Sequence, residues 1–210
     1  MLKLEEFKFI DLFAGIGGFR IALEKYGARC VFSSEIDKYA QITYKENFSD
    51  DNLFGDITKI NENDIPDHDM LCAGFPCQPF SVSGNQKGFE HTKGTLFFEI
   101  MRIVKTKKPK VLFLENVSNL RSHKDKKTIN KMKKMLIEEN YDINIEVLNA
   151  SKYGVPQTRK RVYFVCFRKD LNISEFVFPK ETNEEIYLED ILISSNEITK
   201  KYEIISDGIS

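Results

Sequence analysis

Long apolar runs are missing from this sequence. None approaches the ~20 residues that a membrane span requires. The opening stretch MLKLEEFKFIDLF carries acids and runs straight into a strand-like segment, so no secretory leader is expected. A charge excess is missing as well. The chain holds 31 Lys and Arg against 32 Asp and Glu, a formal net charge of -1, in a composition that is 30% charged and 41% hydrophobic. That balance excludes charge-driven disorder and leaves any nucleic-acid contact to local clusters rather than to overall basicity. Cysteine and histidine are scarce. Cys30, Cys72, Cys77 and Cys166 form no C-x-x-C pair, and the histidines are His68, His91 and His123 only. No zinc pattern results, no metal is expected, and the thiols suit the reduced state of a cytoplasmic protein. Internal repeats and low-complexity tracts are absent too. What remains is a 210-residue chain long enough for one domain with a sizeable core.

Short apolar runs alternate with amphipathic stretches. Strands are predicted at 8–13, 29–35, 70–73, 110–115, 143–148 and 161–168. Helices are predicted at 19–26, 37–47, 94–107 and 126–140, with a glycine turn at 15–18. This rhythm predicts an α/β fold: a mostly parallel sheet with helices on both faces. Ligand sites in such sheets lie beyond the carboxyl ends of the strands. The unusual residues fall there: Asp11–Gly18, Glu35, Asp56, Gly74–Ser81 and Glu115–Val117. The Lys-rich stretch 124–134 reads first as the solvated face of a helix and second as a DNA contact.

The turn after the first strand reads Phe13-Ala14-Gly15-Ile16-Gly17-Gly18. Its glycines permit positive φ and let a ligand approach the backbone. The spacing is not G-x-G-x-x-G, so the pyrophosphate fingerprint of a nicotinamide oxidoreductase is absent. Glu35 closes the second strand, where a carboxylate accepts from ribose hydroxyls. Asp56 is placed to accept from an adenine amino group, and Phe13 offers a face to the base. Adenine, ribose and no diphosphate describe S-adenosylmethionine better than NAD. Against this stand plainer assignments: ordinary turn glycines and a solvated strand end at Glu35.

Gly74-Phe75-Pro76-Cys77-Gln78-Pro79-Phe80-Ser81 is the most informative stretch. Prolines on either side of Cys77 fix φ and stiffen the thiol's position. A thiol on a turn reacts when its pKa is lowered, whereas Cys30, Cys72 and Cys166 sit within strand-like runs as small hydrophobes. Glu115 follows the apolar run Val111–Leu114 directly. A carboxylate there is costly without a task, and burial would make it a plausible acid. A salt-bridged strand end is the alternative.

Taken in order and spacing, DLFAGIGGF, GFPCQPFS, LENV and QTRKR resemble the DNA cytosine-5 methyltransferases of bacterial restriction-modification systems, over Phe9 to about Phe178. The resemblance implies a Rossmann-like S-adenosylmethionine-dependent methyltransferase fold. It implies Cys77 as nucleophile, Glu115 at the cytosine, and Arg159 and Arg161 as the paired active-site arginines. Phe13, Glu35 and Asp56 match its cofactor positions, and Ala14, Gly15, Gly17, Gly18, Ile36, Ile57, Pro76 and Leu96 belong to the same expected set. The reaction would convert S-adenosylmethionine to S-adenosylhomocysteine. A cytosine ring cannot be attacked inside a duplex, so the base must flip out. The polar segment 81–92 would close over double-stranded DNA, with Ser81, Ser83, Gln86, Lys87 and Arg159 as the expected contacts.

The same resemblance predicts a catalytic domain over 1–178 and the start of a linker or target-recognition region over 179–210. Motifs that would follow are not found, so a complementary C-terminal chain is an expected partner, apolar surface is expected beside the helix at 19–26, and the chain by itself is not expected to methylate DNA site-specifically. A bacterial cytoplasmic location follows. Two other classes remain: a catalytically silent binding or assembly subunit, and an RNA cytosine methyltransferase.

Overall fold

A computed structural model describes residues 6–49, 52–76, 96–122, 126–182, 184 and 186–193. By its contacts the chain divides into two compact units. One comprises Met1–Leu148 with Lys160–Phe178, and the other Asn149–Arg159 with Pro179–Ser210.

The first unit is built on a sheet of β1 (Lys8–Leu12), β2 (Arg29–Ser34), β3 (Leu53–Phe54), β4 (Met70–Gly74), β5 (Val111–Val117), β6 (Tyr141–Asn149) and β7 (Lys160–Arg168), in the order β3-β2-β1-β4-β5-β7-β6. The pairs β1–β2, β1–β4, β2–β3 and β4–β5 are parallel, and β5–β7 is antiparallel. The mostly parallel α/β architecture is therefore as the sequence predicts. Covering both faces of a parallel sheet demands strands that are apolar throughout. β1 meets this demand with Phe9, Ile10 and Leu12 fully buried, and departs from it at the equally buried Asp11. Chain order reverses between β1 and β4, and a crevice opens at such a switch point beyond the strand ends.

Helices lie on both faces. α3 (Leu96–Lys107) and α4 (Lys127–Glu138) bring Phe97, Ile100, Ile103, Val104, Ile129, Met132 and Leu136 against Ile10, Leu12, Leu71, Leu112, Leu114 and Phe164. On the other face, α1 (Gly18–Glu24) sets Phe19 and Leu23 against Phe9, Cys30 and Cys72. There too α2 (Lys38–Asn47) is tied to β2 by a 2.6 Å hydrogen bond between the Tyr44 and Ser33 hydroxyls. The Asp37 side chain caps α2 by accepting from the Ala40 N–H, which satisfies an otherwise orphaned donor. In β2 the register against β1 slips after Cys30, where Val31 is the extra residue. The slip lets Cys30 and Phe32 face opposite sides of the sheet.

Three differences from expectation bear on the site or its approach. β5 continues through Val117 because each of its residues pairs with β7, which puts Glu115 inside the strand. α1 stops at Glu24, and the left-handed Gly27 turns the chain into β2. β3 was not expected. Its two residues are too few to show a period, yet they place Asp56 just beyond a strand end. On α4, Lys127, Lys131, Lys133 and Lys134 are exposed while Thr128, Ile129, Met132 and Leu136 face inward, as either reading of that stretch requires.

The second unit is held locally. The Ala150 N–H donates to the Arg159 carbonyl at 3.0 Å, and the Arg159 N–H donates to Asn149 Oδ1 at 3.1 Å. The Thr182 N–H and hydroxyl both reach the Lys152 carbonyl. Its short helical turns among the described residues are Ala150–Lys152 and Leu188–Ile191.

Candidate functional site

The glycine turn leaves β1 in an unusual conformation. Phe13 has φ 56°, a left-handed value that costs a non-glycine residue roughly 1–3 kcal/mol. The surroundings that hold it are explicit. The Ala14 N–H donates to the Ser34 carbonyl at 2.9 Å. The Gly15 N–H donates to Glu35 Oε2, and the Asp37 N–H donates to Glu35 Oε1, each at 2.8 Å. Glu35 is thus not a loosely solvated strand end. It fastens the first turn to the start of α2 and keeps its remaining lone pairs for hydroxyl donors.

The glycines divide by what surrounds them. A Cβ at Gly15 or Gly18 would meet nothing within 4 Å, so both border open space that a ligand can enter. A Cβ at Gly17 would lie 2.2 Å from the Phe48 ring, and its φ is +93°. Gly17 belongs to the expected cofactor set, and its missing side chain also admits the Phe48 ring beside α2.

Asp56 holds a turn of its own. Its Oδ1 accepts from the Thr58 N–H at 3.0 Å and the Thr58 hydroxyl at 2.7 Å, and these bonds hold its carboxyl below the ordinary carboxylate range. The Ile57 side chain is buried in the α3-side core, so only its backbone can serve a ligand. Ile36 is 67% exposed, Pro76 is exposed, and Leu96 opens α3 half-buried.

At the ends of β4 and β5 a second group forms. Glu115 pairs with Gly74 across the ladder. Glu115 Oε1 accepts from Arg161 Nε at 2.8 Å, with side chains about one-fifth exposed at each partner. Of the two readings of Glu115, a buried acid or a salt-bridged carboxylate, the geometry has the ion pair, in a half-buried setting, and its partner is another of the expected catalytic residues. Asn116, which sequence reasoning passed over, is buried. It donates from Nδ2 to the Phe75 carbonyl at 2.7 Å and accepts the Val117 N–H at 2.8 Å. A cross-strand amide of this kind fixes the backbone leading to Pro76 and Cys77. Cys77, Ser81, Ser83, Gln86 and Lys87 lie outside the described residues, and Arg159 belongs to the second unit.

Beneath the glycine turn lies a buried polar cluster that the sequence analysis also missed. Arg20, on α1, is 5% exposed. It donates to the Tyr44 hydroxyl at 3.1 Å and to Glu24 at 2.8 Å, and stacks over the Phe48 ring. Asp11 is fully buried on β1 without a hydrogen-bond partner at either oxygen. Burial raises its carboxyl well above the ordinary range, the Arg20 charge opposing and the Glu35 charge adding to the shift. The signal was present: Asp11 interrupts an apolar strand, and Arg20 falls beside the apolar positions of a short helix.

Residues 7–208 match the family described as C-5 cytosine-specific DNA methylase. The chain is 55% identical over 196 residues to the Type II methyltransferase M.HhaI of Haemophilus parahaemolyticus, covering 93% of this chain and 60% of that protein. It is 54% identical over 176 residues to M.MspI of Moraxella sp, covering 83% and 41%. It therefore spans less than two thirds of the length of these relatives. Among solved structures, that of a Spodoptera frugiperda DNMT2 mutant matches with a TM-score of 0.76 at 24% identity, covering 93% of this chain and 62% of that one. That of S. pombe Dnmt2 matches at 0.66 and 21%, covering 83% and 57%. At these identities the structures speak for the Rossmann-like methyltransferase fold alone, whereas the match over residues 7–208 places the chain in the C-5 cytosine-specific DNA methylase family.

Proposed function

We propose that this chain carries the catalytic machinery of a DNA (cytosine-5-)-methyltransferase of a Type II restriction-modification system, acting on a cytosine flipped out of double-stranded DNA in the bacterial cytoplasm. The observation that carries the reading is the joined end of β4 and β5: Asn116 holds the Phe75 carbonyl, two residues before Cys77, while Glu115 beside it is fixed by Arg161.

The cofactor pocket suits S-adenosylmethionine. Gly15 and Gly18 leave room, Glu35 is fixed by two backbone N–H groups and would accept from the ribose hydroxyls, Asp56 would accept from the amino group, and Phe13 would face the base. When bound, the cofactor supplies an electrophilic methyl group. The chain's own residues must make cytosine C5 nucleophilic. Cys77 adds to C6 and breaks the ring's aromaticity. Glu115 sits at N3, where a proton held between its carboxyl group and that nitrogen would neutralise the negative charge that addition delivers to the ring. Arg161 orients Glu115, and Arg159 serves the base or the phosphate backbone. C5 takes the methyl group as its bond to sulfur breaks, leaving S-adenosylhomocysteine, and loss of the C5 proton to a base then expels the Cys77 thiolate and restores the ring. Base recognition falls to residues outside this stretch, in a continuation or a complementary chain.

The test is transfer of labelled methyl groups to duplex DNA, mapped by bisulfite sequencing, with the chain joined to or mixed with the segment by which its relatives exceed it. Methylation at one short motif is expected. Glu115→Gln should lower the rate by ~10²–10⁴-fold and leave cofactor affinity nearly unchanged. A loss below about tenfold in that variant would reduce Glu115 to a structural ion pair.

A further inference from the structure

The segment that carries Asp56 and Ile57 is pinned from an unexpected direction. Arg102, in the middle of α3, spreads its guanidinium over three acceptors. Its Nη1 meets Glu62, Nε and Nη2 meet Glu99 at 3.0 and 2.8 Å, and Nη2 donates to the Ile57 carbonyl at 3.1 Å. Glu99 is on the same helix, but Glu62 and Ile57 belong to the loop between β3 and β4. Nearby, Lys107 of α3 reaches the Asn63 carbonyl and Asp67 of that loop.

A solvent-facing ion pair alone does little for a fold, and either glutamate alone could be met by lysine. The contact that demands a guanidinium is the one to the backbone, because only a planar fork reaches a carbonyl and two carboxylates together. That carbonyl is the one immediately after Asp56, whose Oδ1 is already locked by Thr58. The Ile57 side chain is locked in the core. With Arg102 in place, the turn is held at its side chain, its cap and its peptide oxygen. The carboxylate of Asp56 is then presented in one orientation, as a site built for a particular donor requires.

We propose that Arg102 is a positioning residue for adenine selectivity: it holds the Asp56–Ile57 turn so that Asp56 accepts from the purine amino group and rejects a purine bearing oxygen there. The inference rests on the proposed cofactor reading. It concerns the base and not the methyl group, so it predicts a change in which nucleoside is preferred rather than a uniform loss.

The experiment is calorimetric titration with S-adenosylhomocysteine and with S-inosylhomocysteine, in which a carbonyl replaces the amino group. The wild-type chain should prefer the adenine form by roughly tenfold or more, the usual worth of a hydrogen bond to a charged group. Arg102→Met should lose most of that preference, and Arg102→Lys should fail to restore it. Glu62→Gln, a milder change, should reduce the preference partially. Arg102→Met or Glu62→Gln with undiminished preference would overturn the proposal, as would an equal loss for both ligands, which marks a general loosening of the fold. Failure of the wild-type chain to bind either ligand would instead strike the cofactor reading itself and this inference with it.

Discussion

The side of the sheet covered by α3 and α4 is a continuous apolar core, running from Leu12 and Phe32 through Leu112 to Phe164 and Leu136. On the side covered by α1 and α2 the apolar cluster is small. Its place beneath the glycine turn is taken by Asp11, Arg20, Ser33 and Tyr44, all buried. The outer surface differs in the same sense, since Ile21 of α1, Tyr26 just after it, and Tyr39 and Ile42 of α2 are exposed. One face supplies cohesion without direction. The other is directional, because hydrogen bonds and ring contacts fix angles as well as distances. The turn carrying Phe13 and Gly15 draws on both: hydrogen bonds to the Ser34 carbonyl and the Glu35 carboxylate hold its left-handed backbone, while the Phe13 side chain packs against the apolar core.

The comparison can be broken most forcefully from the apolar side. Phe164→Ala should cost ~3–5 kcal/mol of stability, read from urea unfolding, and leave cofactor affinity unchanged under native conditions. A loss of affinity without a loss of stability would mean that the two faces do not divide as described. Next in size is the contrast between two glycines. Gly17→Ala adds roughly 1–2 kcal/mol for the left-handed backbone and roughly 1–3 kcal/mol for crowding Phe48. Gly15→Ala carries the backbone cost alone, since its surroundings are open. Gly17→Ala should therefore lower the melting temperature more, and Gly15→Ala should lower S-adenosylhomocysteine affinity more. The reverse order would exchange their roles.

The smallest effect is the most diagnostic of the polar face. Burial raises the Asp11 carboxyl in the native state, so folding takes up a proton that the unfolded chain has released. This group's contribution is present in acid and is lost as pH rises from the ordinary carboxylate range toward the raised native value. Asp11→Asn keeps the shape and removes the titration. Melts should show the variant gaining on the wild type as pH rises above the ordinary carboxylate range. A variant that loses ground with rising pH would identify Asp11 as a charged partner of Arg20.

The sheet, its strand ends and the acids beyond them could be read from sequence because they depend on local pattern: apolar runs, a glycine turn, and Glu35 and Glu115 at or near strand ends. What escaped depends on packing between distant segments. Gly17 is glycine because of Phe48, a residue of another element. Arg20 looks like an ordinary solvated helix residue until Tyr44 and Phe48 enclose it. Asn116 acquires its task only when β5 lies beside β4 and faces the Phe75 carbonyl. Glu115 was singled out correctly as unusual, but its partner Arg161 arrives through antiparallel pairing with β7, which no periodicity announces.

The central claim is that Cys77 attacks cytosine. Duplex DNA carrying 5-fluorocytosine at the target position tests it most directly, because fluorine cannot leave as a proton does and the addition product is trapped. Incubated with S-adenosylmethionine and with the chain joined to or mixed with the segment by which its relatives exceed it, this DNA should give an adduct that survives denaturing electrophoresis. Cys77→Ser should give none while still binding S-adenosylhomocysteine. An adduct that persists in Cys77→Ser would contradict the account.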